Sequence, residues 1–190
     1  MLQEGGEKVV DRKLLGLSAK QFCRAVNEAV VSRSLRDLPK RDQLTQVQLA
    51  CVRFVHLHPD SSVGEIAAGL MISNAAAAKL IDRLVKRHFL VREEDVQDRR
   101  VLKIKLTAEG QKVLEEATLL EQRYFNEIVD RMAPGMAENL QLSLKAFLKA
   151  AFQDPETVDV ICLWCGREHL DECVGNTRYR ELTGENRSKI

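Results

Sequence analysis

Four residues near the C-terminus have the types and the spacing of a metal site. Cys162-Leu-Trp-Cys165-Gly-Arg-Glu-His169-Leu-Asp-Glu-Cys173 reads C-x2-C-x3-H-x3-C. A cysteine pair two residues apart, with Gly166 behind it for a tight turn, aims two thiolates at one ion. His169 and Cys173 stand four apart, on one face if Gly166 opens a helix. Four soft ligands without a carboxylate favour a closed tetrahedral Zn2+ site. An iron–sulfur cluster is the alternative occupant, although cluster sites are more often all-cysteine. Zinc thiolates can also be oxidised and release their metal, so the same ligands suit a structural ion or a redox- or metal-sensing one. The bland alternative is a metal-free tail with chance cysteines.

A second set of residues has the chemistry of phosphate and base contact. Ser73 and Asn74 stand at a helix start, where they can reach phosphate or base edges, and asparagine can pair bidentately with adenine. Lys79 and Arg83 lie one turn apart, placed to neutralise phosphates. Arg99 and Arg100 at a ribbon tip suit a narrow minor groove, where negative potential is enhanced. From Lys79 to Lys105 nine Lys/Arg oppose five Asp/Glu, a local net of +4, while the remainder holds 20 against 23, within a chain of net charge +1. Such segregation is the footprint of a protein that touches phosphates with one surface. Between these groups Ala75-Ala76-Ala77-Ala78 offers contact to a thymine methyl and no hydrogen bond. Specificity then rests on Asn74, Lys79, the ribbon and DNA shape, unless the alanines simply make a good helix.

The elements that must position these groups follow from periodicity. With 45% apolar and 30% charged residues, 10 Gly and 4 Pro in 190 residues, the chain is a soluble, mainly α-helical domain with an appendage. No signal peptide and no apolar run of about 20 residues is present, which predicts a cytoplasmic protein. Residues 1–16 form a polar arm. Apolar residues at Phe22, Val26, Ala29 and Val30 predict a helix over 17–35. Thr45 caps a helix ending near Leu57, and Pro59-Asp60-Ser61-Ser62 ends it and caps a short helix carrying Val63, Ile66, Ala67 and Leu70. Ser73 caps the next, with Leu80, Ile81, Leu84 and Val85 inward and Lys79, Arg83, Lys86 and Arg87 outward. The period then changes to two: Leu102, Ile104 and Leu106 share one strand face, Leu90-Val91-Arg92 is the partner strand, and 93–99 the loop.

Two helices follow, about 111–132 and 135–153, with stripes larger than a small domain needs, which predicts pairing with another copy. From Asp154 the helical pattern stops and the tail runs to Ile190. The organisation is therefore an arm (1–16), a helical domain (17–153) with a DNA-binding core (45–107), and a Cys/His tail (154–190) that resembles a zinc knuckle, though its spacing is shorter than the retroviral type.

Helix, turn, helix and β-ribbon in Ser61–Gly110, with Asp98-Arg99-Arg100 at the tip and Leu106-Thr107-Ala108-Glu109-Gly110 at the exit, resemble the MarR (multiple-antibiotic-resistance regulator) family. The resemblance covers roughly 17–152. It implies a homodimeric winged helix-turn-helix transcriptional regulator, a repressor of a palindromic operator in double-stranded DNA. It further implies dimer helices at 17–35 and 111–153, a recognition helix at 73–88, and Asp98 orienting Arg100 rather than touching DNA. A small phenolic or lipophilic effector is also implied. The alternative is a winged-helix interaction module whose zinc tail docks a partner.

Other candidates carry less. Cys23 is faintly similar in setting to the peroxide-sensing branch of that family, and a buried inert thiol is the expectation; Cys51 is read as core. His56, His58 and His88 read as helix-terminal residues. An enzyme is not expected: no H-x-E partner completes a deaminase-like site, and no Ser/His/Asp arrangement, phosphate loop or dinucleotide fingerprint occurs.

Overall fold

The computed structural model describes residues 10–94, 102–165 and 170–185. Its elements run α1 (Arg12–Val26), a wider π-helical stretch (Asn27–Ser32), α2 (Arg33–Asp37), α3 (Gln46–Leu57), α4 (Val63–Gly69), α5 (Asn74–Lys86), β1 (Leu90–Glu94), β2 (Leu102–Leu106), α6 (Ala108–Val129), α7 (Met136–Ala151), α8 (Pro155–Cys165) and α9 (Val174–Thr183). None of these helices is long and apolar enough to cross a membrane.

Local chemistry sets the starts. Thr45 and Ser62 each close a reciprocal capping box, with Gln48 and Glu65 respectively, so two orphan donors are met at each end. The Ser73 hydroxyl accepts from the Ala76 N–H at 3.2 Å and begins α5. The strands pair antiparallel, Leu90 opposite Leu106 through Glu94 opposite Leu102. A third segment joins their edge, where the Ile104 N–H donates to the Ser61 carbonyl at 2.8 Å.

One core unites these pieces. Leu49, Val52 and Val55 of α3, Ile66 of α4, Ile81 and Leu84 of α5, Leu90 of β1, Ile104 of β2 and Val113 of α6 are all essentially fully buried. Cys51 lies among them, and burial pushes its thiol up to about 12. It is an inert core residue, in line with its sequence reading.

Several expectations are corrected. α1 begins at Arg12, capped by Asp11, ahead of the predicted Leu17 start. Cys23 is exposed rather than buried, because α1 buries none of its residues within one chain. Leu102 leaves the strand's inward face and is 45% exposed, since the ribbon extends past the core at that end. The tail is helical after all. Asp154 accepts from the Thr157 N–H at 2.7 Å with Pro155 in the first turn, a start signal for α8. Cys173 caps α9, which Gly184 ends in the left-handed region at φ +80°.

The tightest backbone approach is at Gly110, in the first turn of α6. A Cβ there would stand 2.1 Å from the Phe89 carbonyl oxygen. Gly64 on α4 meets nothing nearer than 3.9 Å. Gly110→Ala is expected to cost about 2 kcal/mol through forced backbone movement. Gly64→Ala should be neutral or stabilising by up to about 1 kcal/mol. Urea unfolding followed by far-UV circular dichroism separates the two; equal midpoints would mean that the junction yields freely.

Candidate nucleic-acid interface

The second helix of the α4–turn–α5 unit presents a polar, basic face. Met71 takes φ +52° in the turn, and Ile72 N–H reaches back to the Ala67 carbonyl at 3.0 Å, so the chain reverses tightly between the helices. α5 then buries Ala77, Leu80, Ile81 and Leu84. The 3.6-residue period leaves Asn74, Ala75, Lys79, Arg83 and Lys86 exposed on the opposite side. Among the described residues Lys79, Arg83 and Lys86 enter no ion pair, so their charge faces solvent. Ser73 and Asn74 lie at the exposed N-terminal end; the Ser73 oxygen is engaged in its cap while its O–H remains a donor.

Arg87 departs from the outward set. Its guanidinium donates to the Gln43 carbonyl at 2.7 Å and the Arg41 carbonyl at 2.8 Å, and lies 4.7 Å over the Phe89 ring. It therefore ties the connector before α3 to the end of α5. The partners lie more than forty positions upstream, and nothing local in the sequence marks them. Nothing local marks Arg92 either. It pairs with Asp82 of α5 at 2.5 Å and fixes the first wing strand against that helix. Lys105 on β2 bridges Glu93 at 2.9 Å and Asp60 at 3.3 Å, and both acids hold its ammonium above the usual range.

Asp98, Arg99 and Arg100 lie outside the described residues. The described strands run from the Leu90–Leu106 pair, which feeds α6, to the Glu94–Leu102 pair.

His58 caps α3 and packs on Phe54 with ring centroids 4.4 Å apart; His56 is in the last turn of that helix. His88 follows α5 with φ +59°, its N–H bonded to the Val85 carbonyl at 2.9 Å. All three are helix-terminal, as read from the sequence.

These geometries have counterparts. Residues 44–102 match the family model described as the MarR family. Over that segment the chain is similar to the winged helix of the MarR family. An uncharacterized HTH-type transcriptional regulator of Bacillus subtilis (strain 168), YsmB, is 24% identical over 54% of this chain and 70% of its own length. RV1404 from Mycobacterium tuberculosis aligns with a TM-score of 0.68 at 21% identity, covering 76% of this chain and 97% of that one. Apo MarR from E. coli aligns at 0.54 and 22% identity, over 75% and 99%. The MarR-like fold thus occupies about three quarters of the chain.

Helix α6 carries the winged helix into the remaining helices. Arg53 of α3 pairs with Glu121 of α6 at 2.5 Å, their side chains only 16% and 11% exposed. Further along α6, Arg33 binds Glu127 at 2.9 Å and lies 3.7 Å over the Tyr124 ring, whose hydroxyl bonds Asp37. That hydrogen bond to Asp37 holds the Tyr124 phenol above its ordinary range. Nothing local in the sequence marks these roles of Tyr124, because its polar partners come from elements far upstream.

In the tail, Cys162 of α8 and Cys173 converge on the first turn of α9. A Cβ on Gly175 would stand 2.6 Å from Cys162 Sγ and 3.9 Å from Cys173 Sγ. Asn176 N–H donates to Cys173 Sγ at 3.2 Å. His169 and the Cys165 side chain lie outside the described residues. The reading that put His169 and Cys173 on one helical face is corrected at its second member: residues 170–173 form a turn that ends in the cap of α9.

The Arg53–Glu121 pair generates a stability prediction. Glu121→Ala leaves a guanidinium desolvated without its counter-charge and should cost about 3 kcal/mol. Arg53→Met combined with Glu121→Leu removes both charges and should recover most of that loss. Guanidinium denaturation of the two variants checks it; equal losses in both would show that lost packing, not the stranded charge, dominates.

Proposed function

We propose that this chain is a homodimeric DNA-binding transcriptional regulator, a repressor of a palindromic operator, with a zinc site in its C-terminal tail. The observation that carries the DNA reading is the exposed face of α5, with Lys79, Arg83 and Lys86 free of counter-charges among the described residues, beside a wing held in place by Asp82–Arg92. An N-terminal end bearing Ser73 and Asn74 suits base and phosphate contact in a major groove. Arg99 and Arg100, the latter oriented by Asp98, supply the wing's share in the minor groove.

Dimerisation is supported by what one chain leaves uncovered. Leu14, Leu15 and Leu17 of α1 and Leu142 and Phe147 of α7 are all more than half exposed, and neither helix has a buried residue. A second copy covering these faces would set two recognition helices at fixed spacing, the geometry a palindrome demands. A small-molecule effector has a place between tail and winged helix, in a cleft of about 800 Å³ lined by Phe54, Leu57, His58, Lys103 and Asp159 among others.

The deciding experiment is fluorescence anisotropy against duplex DNA across a salt series. Lys79→Ala and Arg83→Ala should each weaken binding to all sequences alike and reduce the salt slope by about one. Arg100→Ala should cost roughly 1–3 kcal/mol. Arg87→Ala should lower thermal stability while leaving the salt slope near wild type. Salt-independent or absent binding would turn the reading to a protein-interaction module of the same fold.

For the tail, the support is the donor set and the cradle at Gly175, where two thiols from separate helices approach one point that any larger residue would fill. Cys162, Cys165, His169 and Cys173 would hold Zn2+ and join α8 to α9. Elemental analysis should find about one zinc per chain, lost in Cys162→Ser and Cys173→Ser. Iron with sulfide would replace the assignment by a cluster, and absence of metal would remove it.

A further inference from the structure

The two described tail cysteines differ from the other two. Cys51 is sealed in the core, and Cys23 stands on the exposed face of α1. Cys162 and Cys173 come from different helices and meet at one place. Their sulfurs are separated by no more than 2.6 and 3.9 Å laid end to end, the distances from each to the vacant Cβ position of Gly175. Both residues are partly exposed, so a small reagent reaches them. Their backbones are anchored: Val158, one turn before Cys162, is fully buried, and Asn176, which holds the Cys173 sulfur, is 3% exposed.

We propose that Cys162 and Cys173 are a redox dithiol that closes to an intrachain disulfide by exchange with a small-molecule disulfide. This names the regulation of the tail site and rests on the zinc reading only for the competition between metal and disulfide. The thiolate of one cysteine attacks a sulfur of the small disulfide, forming a mixed disulfide and releasing one small thiol. The other cysteine's thiolate then attacks the protein-side sulfur, closing the Cys162–Cys173 bond and expelling the second small thiol. Two electrons pass from the protein sulfurs to the two released thiols, which also take up the two cysteine protons. The bonded sulfurs are no longer thiolates and cannot ligate Zn2+, so disulfide and metal exclude one another.

The consequence reaches α7. α9 is fastened there by Lys149–Glu181 at 2.8 Å and by Arg178, which donates to the Phe152 carbonyl at 3.0 Å and pairs with Glu181 at 2.9 Å. A bond from Cys173 to Cys162 staples α8 to an element already fixed on the last helix of the MarR-like fold.

The test uses the full chain, stripped of metal, in buffers of stepped oxidised and reduced glutathione, then alkylated and digested without reductant. Mass spectrometry should find peptides joined through Cys162 and Cys173, in wild type and in Cys165→Ser, rising in one two-electron transition. The link should be absent in Cys162→Ser and in Cys173→Ser. A Cys162–Cys165 link in wild type with no Cys162–Cys173 link in Cys165→Ser overturns the proposal, as does glutathionylation without closure. Repeated with stoichiometric Zn2+, closure should require about tenfold more oxidising glutathione or beyond. Closure unmoved by Zn2+ would keep the disulfide and count against the metal.

Discussion

The fold depends on how closely α6 approaches the wing at Gly110. Thr107 accepts the Gly110 N–H at 3.0 Å, and its own N–H reaches the Phe89 carbonyl at 3.1 Å, while that same carbonyl lies against the bare Cα of Gly110. Only glycine allows the three groups to share this space. The consequence is directional. Chain leaving β2 turns at once into a helix whose first turns, through Val113, Leu114 and Ala117, complete the winged-helix core. The far half of the same helix is thereby aimed at α2 and α3, where Glu121, Tyr124 and Glu127 meet their partners. One rigid helix thus belongs to two bodies, and a change in either has a mechanical route to the other.

Charge in the winged helix is sorted by partner rather than by residue type. Arg87 and Arg92 spend their guanidiniums on carbonyls and on Asp82, holding connector, recognition helix and wing together. Among the described residues Lys79, Arg83 and Lys86 have no such engagement, and they carry the field that phosphates would feel. Planar, multiply donating arginine suits the first duty, in which two carbonyls are met at once. The separation explains how a nearly neutral chain presents a basic face. The acids that balance its sum, such as Asp82, Glu93 and Asp60, are consumed in fixing the frame around that face.

What the sequence revealed was what neighbours in the chain decide. Thr45, Ser62 and Ser73 announce helix starts because a cap and its N–H partner are three residues apart. The switch from period 3.6 to period 2 at the wing is equally local. Arg87, Tyr124 and Glu121 were opaque because their roles are defined by groups brought from tens of residues away. Cys23 was misjudged for a related reason: amphipathy predicts that a face is covered without saying that the cover is absent from the same chain. The tail helices show a different failure. Asp154-Pro155 and Cys173 with Gly184 are local start and stop signals, but the two helices between them are short and carry little apolar periodicity.

The tail's geometry follows from packing as much as from its thiols. Val158 and Phe152 are buried there, and a side chain added at Gly175 in α9 would collide with Cys162. A segment with so small an apolar core needs a further tie to hold two short helices together. The Lys149–Glu181–Arg178 group is exposed and screened, and supplies orientation more than strength. The sulfurs are the remaining candidates for that tie, whether through a shared ion or a direct bond. Either form is reversible under conditions a cell can vary, in a way that apolar burial is not. That reversibility separates this appendage from the winged helix, whose core residues have no chemistry to switch.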